Sequence, residues 1–572
     1  MVNIMNDINE STPGTATRLK LGGRGAIGNS CDPSTRRPAL ALAVAIAFIL
    51  PLAPTASAMG PGGWDHLGHG ATLTVPSLNG AVYALNGADN PGVLYVGGNF
   101  TAAAGIANAD RIARWNGIAW SALGSTPISN GSVNAIAYHA GKVYVGGTFL
   151  NAGGNPNADF LAVWDGAWAP FCTPATPGAA FGGTVNALQI IGNTLYVGGA
   201  FQNGGKIAAA DYLLACDLTT GASSSTVLHD GDFTGAVYAL AADSNGVLYA
   251  GGNFINLDTI LEADYVAAYD GAWHAMGVGP WPGFGAVEGI VRGLTANGTD
   301  VYIGTDAIDV AGIAAADHVV KWNGSEWRAV GSNTAGTNGW FSTLTFINTL
   351  TTSKSLLFAA GSFQNANGIA TADNIAYFDG STWRPIGSNG AGNGALNANM
   401  VALANFGGKV HAASGNLTSA GGDVMARSVA AYALRLPDAR IGLTSTGPFS
   451  GDGVYSPTAV GESRTISVTR GQTGTFYVSI QNDGLVAAAF TIKGTGGAGG
   501  ITVRYYRGAT NITTAVKAGT YGTGLVAPRG SITLKMAVDV AASSATIGSF
   551  LVQQTSVPGT PIDAVKAIVN AK

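Results

Sequence analysis

Charged side chains are scarce in this chain: Asp, Glu, Lys and Arg make up 10% of its 572 residues, against about a quarter in a typical globular protein. That scarcity excludes coiled coils and long solvated helices, which need charged faces. Basic residues are in no excess either, with 28 Lys and Arg against 32 Asp and Glu and a net charge of −4. Nothing here is built to neutralise a phosphate backbone, so nucleic acid is not an expected partner. The longest apolar run, Ala39 to Leu52, falls short of the roughly twenty residues that span a bilayer. Cysteines number three. What the chain has in quantity is glycine, 85 residues, alongside 47% hydrophobic residues. Glycine on a background able to bury a large core means many tight turns between short strands, and the expected class is all-β.

The first 58 residues read as an export address. Arg18, Lys20, Arg24, Arg36 and Arg37 precede the apolar run, and Ala56-Ser57-Ala58 supplies a small-residue cleavage pattern. Pro38 and Ala39 follow the arginine pair where a twin-arginine signal wants apolar residues, so the general secretory route is expected. The mature chain is then secreted and extracellular, begins near Met59 and has no membrane span.

Internal periodicity is the strongest signal. Leu94-Tyr-Val-Gly-Gly-Asn-Phe100 returns at Val143 to Phe149, Leu195 to Phe201 and Leu248 to Phe254, with weaker copies from Val301, Leu357 and Val410. Spacings run from 49 residues (Tyr95 to Tyr144) to 56 (Tyr302 to Phe358). Each copy holds four strand-sized pieces, typified by Val82 to Leu85, Leu94 to Gly98, Asp110 to Trp115 and Trp120 to Gly124. Asn116-Gly117, Asp165-Gly166, Asp270-Gly271, Asn323-Gly324 and Asp379-Gly380 stand between the third and fourth pieces, as tight hairpins require. Four antiparallel strands per copy make one propeller blade, so the pattern predicts a seven-bladed β-propeller over residues 59–436. The seventh copy ends at Ser428 to Tyr432 without its Trp-x-x-Leu-Gly piece, whereas Trp64 to Gly68 is such a piece with no strands before it. An N-terminal strand that completes the last blade closes the ring.

The glycine pair, the Asp/Asn-Gly turn and the following Trp resemble the kelch repeat and its secreted bacterial relatives, including the propeller of galactose-oxidase-like proteins. The resemblance covers about residues 64 to 434 and implies a fold rather than one activity. Residues 437–572 lack the repeat. Ser463–Val468, Gly474–Gln481, Ala487–Lys493, Ile501–Tyr506, Ser531–Val538 and Thr546–Gln553 read as strands of a β-sandwich. The stretch Gly474 to Gly484 resembles the immunoglobulin-like modules of secreted bacterial proteins, which implies a spacer or adhesion role.

A residue repeated in most blades serves the fold, and one that breaks the pattern is freer to serve a ligand. Asp110, Asp159, Asp211, Asp264, Asp317 and Asp373 repeat before the third strand and are expected to cap turns. Connections from strand two to three and from four to one are the long ones, so a site is expected on that face. There Gly277 to Arg292 holds Trp281, Phe284, Glu288 and Arg292, the next blade enters with Trp340-Phe341, and Val227 to Phe233 holds His229, Asp230 and Asp232. Thr305-Asp306 is read as replacing the glycine pair. The position after the first Val of strand one reads Tyr83, Asn134, Asn186, Tyr238, Arg292, Ser342 and Val401. Trp281, Phe284, Glu288, Arg292, Trp340, Asp230, Asp232 and Tyr238 are the candidate ligand-binding residues; the alternative for Trp281 and Phe284 is that they pin their own loop.

No cofactor and no metal are expected: the histidines are scattered, and Gly-x-Ser-x-Gly is missing. Cys172 ends a fourth strand and Cys216 replaces a strand-three aromatic, positions that need not approach within 7 Å or so, and no disulfide is expected between them. The expected function is noncatalytic binding of a glycan, a cell-envelope component or another surface protein. The rivals are a polysaccharide hydrolase or lyase using Asp232, Glu288 or Asp306, and a structural matrix protein.

Overall fold

The computed structural model describes residues 63–87, 92–172, 180–224, 233–341, 345–544, 546–556 and 563–572. The expected signal peptide lies outside them. Among the described residues no helix is long and apolar enough to cross a membrane.

Residues 63–433 form seven four-stranded antiparallel sheets. In chain order the sheets start at Val82, Val133, Val185, Val237, Val291, Ile347 and Ala402. The first strand of each sheet packs on the first strand of the next, and that of sheet seven packs on that of sheet one. The repeat explains the packing. A Cβ on Gly97 would meet Val133 Cγ1 of the next sheet at 2.6 Å, and one on Gly98 would stand 1.9 Å from Ala81 O. Gly146 and Gly147 repeat both contacts, against Val185 Cγ1 at 2.3 Å and Ser132 O at 1.9 Å. The first glycine therefore admits the neighbouring sheet, and the second admits the chain that leads into its own first strand. Apolar residues of facing sheets fill the space between, as Tyr95 and Ile112 do with Val133 and Val145.

The outer strands interlock through the Trp-x-x-Leu-Gly piece. Aromatics on strands three and four pack in tilted pairs, Trp115 with Trp120 at 5.4 Å and Trp322 with Trp327 at 5.3 Å. Strand-four indoles of sheets one, five and six reach the preceding sheet: Trp120 donates to Leu67 O, Trp327 to Met276 O and Trp383 to Val330 O. Sheet seven takes its fourth strand from the N-terminal side, Trp64–His66 paired with Val429–Ala433 in the register Trp64↔Tyr432. Trp64 is fully buried and its indole donates to Ile386 O of sheet six at 3.3 Å.

Cys172 and Cys216 are disulfide-bonded, with Cα atoms 5.4 Å apart, which corrects the expectation from sequence. The glycine closing each fourth strand lies against the strand-three aromatic of the next sheet: a Cβ on Gly124 would stand 2.1 Å from Trp164, and one on Gly68 3.1 Å from Trp115. Cys172, at φ 60°, occupies that glycine position and Cys216 that aromatic position, so the fold itself brings them together.

Residues 437–571 form two further sheets that share one apolar core, with Phe476 and Tyr505 from one and Phe490 and Phe550 from the other. All six expected strands are present, with ends within three residues of those expected. Pro437–Gly442, Tyr521–Val526 and Asp563–Ala571 were not foreseen. Proline opens the first, Gly522 and Gly524 interrupt the second, and the alanine-rich third carries a weak strand signal. The third also pairs in parallel with Ser463–Val468, which no local turn announces.

Candidate functional site

In sheets one to six the pairing of strands one and two slips just after the first apolar residue, between Val82 and Ala84 in sheet one and at the equivalent place in the other five. The residue left without a partner is Tyr83, Asn134, Asn186, Tyr238, Arg292 or Asn348. A β-bulge re-aims its extra side chain, and here it recurs at the end of the strand fed by the long loops. Tyr83, Asn134, Asn186, Arg292 and Asn348, with Val401 of sheet seven, line a cavity of about 230 Å³ enclosed by the first strands. The polar position noticed in the sequence is thus a structural ring, with one correction. Sheet six places Asn348 there, because its first strand starts at Ile347; Ser342 lies outside the described residues.

These side chains are held in place. Asn348 Nδ2 donates to Asn399 Oδ1 at 2.7 Å and Met400 O at 3.0 Å, and Asn186 Nδ2 donates to Val237 O at 3.3 Å. Arg292 pairs with Asp306 at 3.3 Å and lies 5.1 Å over the Phe346 ring. The pairing Val291↔Thr305 corrects the expectation that Thr305-Asp306 replaces the glycine pair. Gly304 keeps the first glycine, Thr305 replaces the second, and Asp306 stands where sheet one has Asn99.

The repeated aspartates cap turns, as expected. Asp110, Asp159, Asp211, Asp264, Asp317 and Asp373 each accept through Oδ1 a backbone N–H eight residues earlier, at 2.6 to 2.9 Å. In three sheets the other oxygen holds the loop from strand four to strand one: Gly285 N donates to Asp264, Gly339 N to Asp317 and Gly394 N to Asp373, at 2.9 to 3.1 Å.

Backbone anchored in this way carries two exposed aromatics, Trp281 at 65% exposure and Phe284 at 55%. The loop is braced by Gly279 N to Phe284 O at 2.9 Å, and its two aromatics face solvent over more than half of their surface. Glu288 is exposed, while Arg292 and Tyr238 are half-buried. Trp340 does not join them. It is 4% exposed and packs on Trp383 and Phe341 at 5.9 and 5.1 Å, because its neighbour Phe341 fills the gap beside the strand-four Trp. Asp230 and Asp232 lie outside the described residues, and nearby Phe233 is buried against Phe254 and Trp273.

Among the described residues no group of His, Cys, Asp or Glu is arranged to hold a metal. His66 and His69 do come together, with rings 4.7 Å apart, and His66 pairs with Asp423 at 2.6 Å.

A larger cavity, about 640 Å³, escaped the sequence reading. It lies where sheets six and seven meet the C-terminal sheets, with Tyr377, Arg384 and Tyr432 on one side and Tyr455, Gln481, Asp483 and Arg529 on the other. The wall is tied by Asp483 N to Leu436 O at 2.7 Å and by the Tyr432 hydroxyl, which donates to Asp483 O at 3.1 Å. No repeat signal crosses from one region to the other, so no spacing in the sequence announces it.

No protein-family model matches the chain, and no curated protein does. Among solved structures it is similar to a glucose dehydrogenase at 12% identity and TM-score 0.26, over 52% of this chain and 94% of that one. It is similar to the N-terminal domain of PorA at 14% identity and TM-score 0.16, over 23% and 97%. A third likeness is to the SrpA adhesin of Streptococcus sanguinis, at 10% identity and TM-score 0.13, over 19% of this chain and half of that one. Likenesses this weak carry no functional argument.

Proposed function

We propose that this chain is a secreted, noncatalytic binding protein: a kelch-like seven-bladed propeller, closed by its N-terminal strand and followed by an immunoglobulin-like module. Its ligand is a glycan or other cell-envelope material met on the long-loop face. The observation that carries the reading is the set of bulged amides, with Tyr83 and Arg292, that lines the central cavity. Amides and phenols bond sugar hydroxyls, and the exposed Trp281 and Phe284 beside the same end of sheet five offer faces for sugar C–H groups. A disulfide fits an oxidising, extracytoplasmic setting.

One observation favours the rival hydrolase or lyase. The Tyr265 hydroxyl is raised in pKa by burial and then by Asp264, Asp306 and Glu288, so three acids stand near one phenol. Binding is preferred because Asp264 is spent on two backbone N–H groups and Asp306 on Arg292. Retention of the mature protein on immobilised cell-envelope polysaccharides tests the reading. The Trp281→Ala, Phe284→Ala double variant should lose retention with an unchanged melting temperature. Retention equal to the parent's, or release of reducing ends that stops in Glu288→Gln, overturns it.

A further inference from the structure

We infer that the 640 Å³ cavity between sheets six and seven and the C-terminal sheets is a second saccharide site, selective for sugars that carry a carboxylate. Its volume falls inside the roughly 300–1,000 Å³ of ligand pockets, which favour seams between packed regions. The selectivity follows from which charges in the cavity are already engaged.

Both acids are spent. Asp483 accepts from the Tyr455 hydroxyl at 2.7 Å on one oxygen and from Gln481 Nε2 at 2.6 Å on the other. Asp379 accepts from Ser381 and Thr382 on Oδ1 and from Arg384 Nε at 2.7 Å on Oδ2. Burial opposes the charge on Asp379, but these hydrogen bonds outweigh it and hold the carboxyl well below its usual range. The arginines are not spent in the same way. Arg384 engages Asp379 through Nε alone, which leaves its two terminal nitrogens for a ligand. Among the described residues Arg529 bonds only through its backbone N–H, to Asn482 O at 2.7 Å, and its side chain is exposed. Tyr377 and Arg384 are cross-strand partners in sheet six, and both guanidinium charges act on the Tyr377 hydroxyl. The cavity therefore sets two arginines with unengaged donors around one phenol. Guanidinium donors match a planar carboxylate, while Tyr377 and the free amide oxygen of Gln481 suit hydroxyls.

The site is independent of the long-loop face, and calorimetry on the whole mature chain separates the two. Tetragalacturonate, cellotetraose and inorganic phosphate are the probes. Tetragalacturonate should bind, with affinity falling as salt is raised, and Arg529→Ala should weaken it at least tenfold at an unchanged melting temperature. Arg384→Lys, which keeps the charge and loses the fork, should weaken it too, and Trp281→Ala should leave it unchanged. The inference is overturned if tetragalacturonate does not bind at millimolar concentration, if cellotetraose binds equally, if phosphate alone binds, or if Arg529→Ala matches the parent.

Discussion

Cys172 and Cys216 are bonded at the two positions where neighbouring sheets elsewhere press a glycine against an aromatic ring, as Gly124 does against Trp164. Sheet three is also the sheet whose fourth strand, Ser223–Ser224, lacks the usual Trp. The covalent bond thus stands where the packed aromatic pair is missing. Reducing it should cost about 4 kcal/mol, the chain-entropy value for a closed loop of 44 residues. Denaturant unfolding with and without reductant measures this, and an intact mass without the two-proton deficit would show that the bond does not form.

Trp281 and Trp340 should behave oppositely on truncation. Trp340→Ala empties a packed aromatic cluster and should destabilise the protein by about 3–5 kcal/mol. Trp281→Ala removes an exposed ring and should move stability by less than about 0.5 kcal/mol. Equal losses in thermal unfolding would mean that the loop carrying Trp281 is packed in solution.

Trp64 pairs with Tyr432 inside sheet seven and bonds across to Ile386 O of sheet six. Trp64→Ala should therefore cost about 3–5 kcal/mol despite its place near the chain start. Amide exchange should then accelerate in Val429–Ala433, the strand whose edge it covers. Protection there as in the parent would remove the N-terminal strand from the fold's stability.

Asp438 is fully buried, with neither carboxyl oxygen hydrogen-bonded and Arg440 Nε 3.8 Å away. Burial, then Asp483, Asp563 and Asp452, push its carboxyl up to about 9. Because the folded value exceeds the unfolded one of about 3.9, the unfolded chain loses its proton first. This group's contribution is full below about pH 4 and is lost as pH rises toward 9. Asp438→Asn should match the parent near pH 4 and melt increasingly higher than it up to pH 9. Glu462 and Asp563, both raised chiefly by burial, leave a residual slope of the same sign in the variant. Parallel parent and variant curves would mean that Asp438 stays charged in the folded protein.

The repeat made the strands, their turns and the turn-capping aspartates legible in the sequence, since each rests on contacts within one copy. Alternation sets the faces of a strand, Asp/Asn-Gly sets a hairpin, and the Gly-Gly pair marks where another chain segment approaches closely. The bulged position was legible for the same reason in five sheets. It was misplaced in the sixth, where a longer connection shifted the count from Asn348 to Ser342.

Most of what depends on where one copy meets another was settled by tertiary structure; the pairing of Trp64–His66 with Val429–Ala433 is the exception, because the piece missing from the seventh copy stands alone near Trp64 in the sequence. Trp340 looked like a ligand residue because it breaks the pattern, yet Trp383 and Phe341 bury it. The disulfide needed the distance between a fourth strand and the next sheet's third strand, a distance that sequence separation does not encode. The cavity holding Arg384 and Arg529 needed the C-terminal sheets set against sheets six and seven. Local periodicity fixes which way a side chain points along its own strand; only the packing of distant segments decides whether that direction leads to solvent, to a core or to a shared cavity.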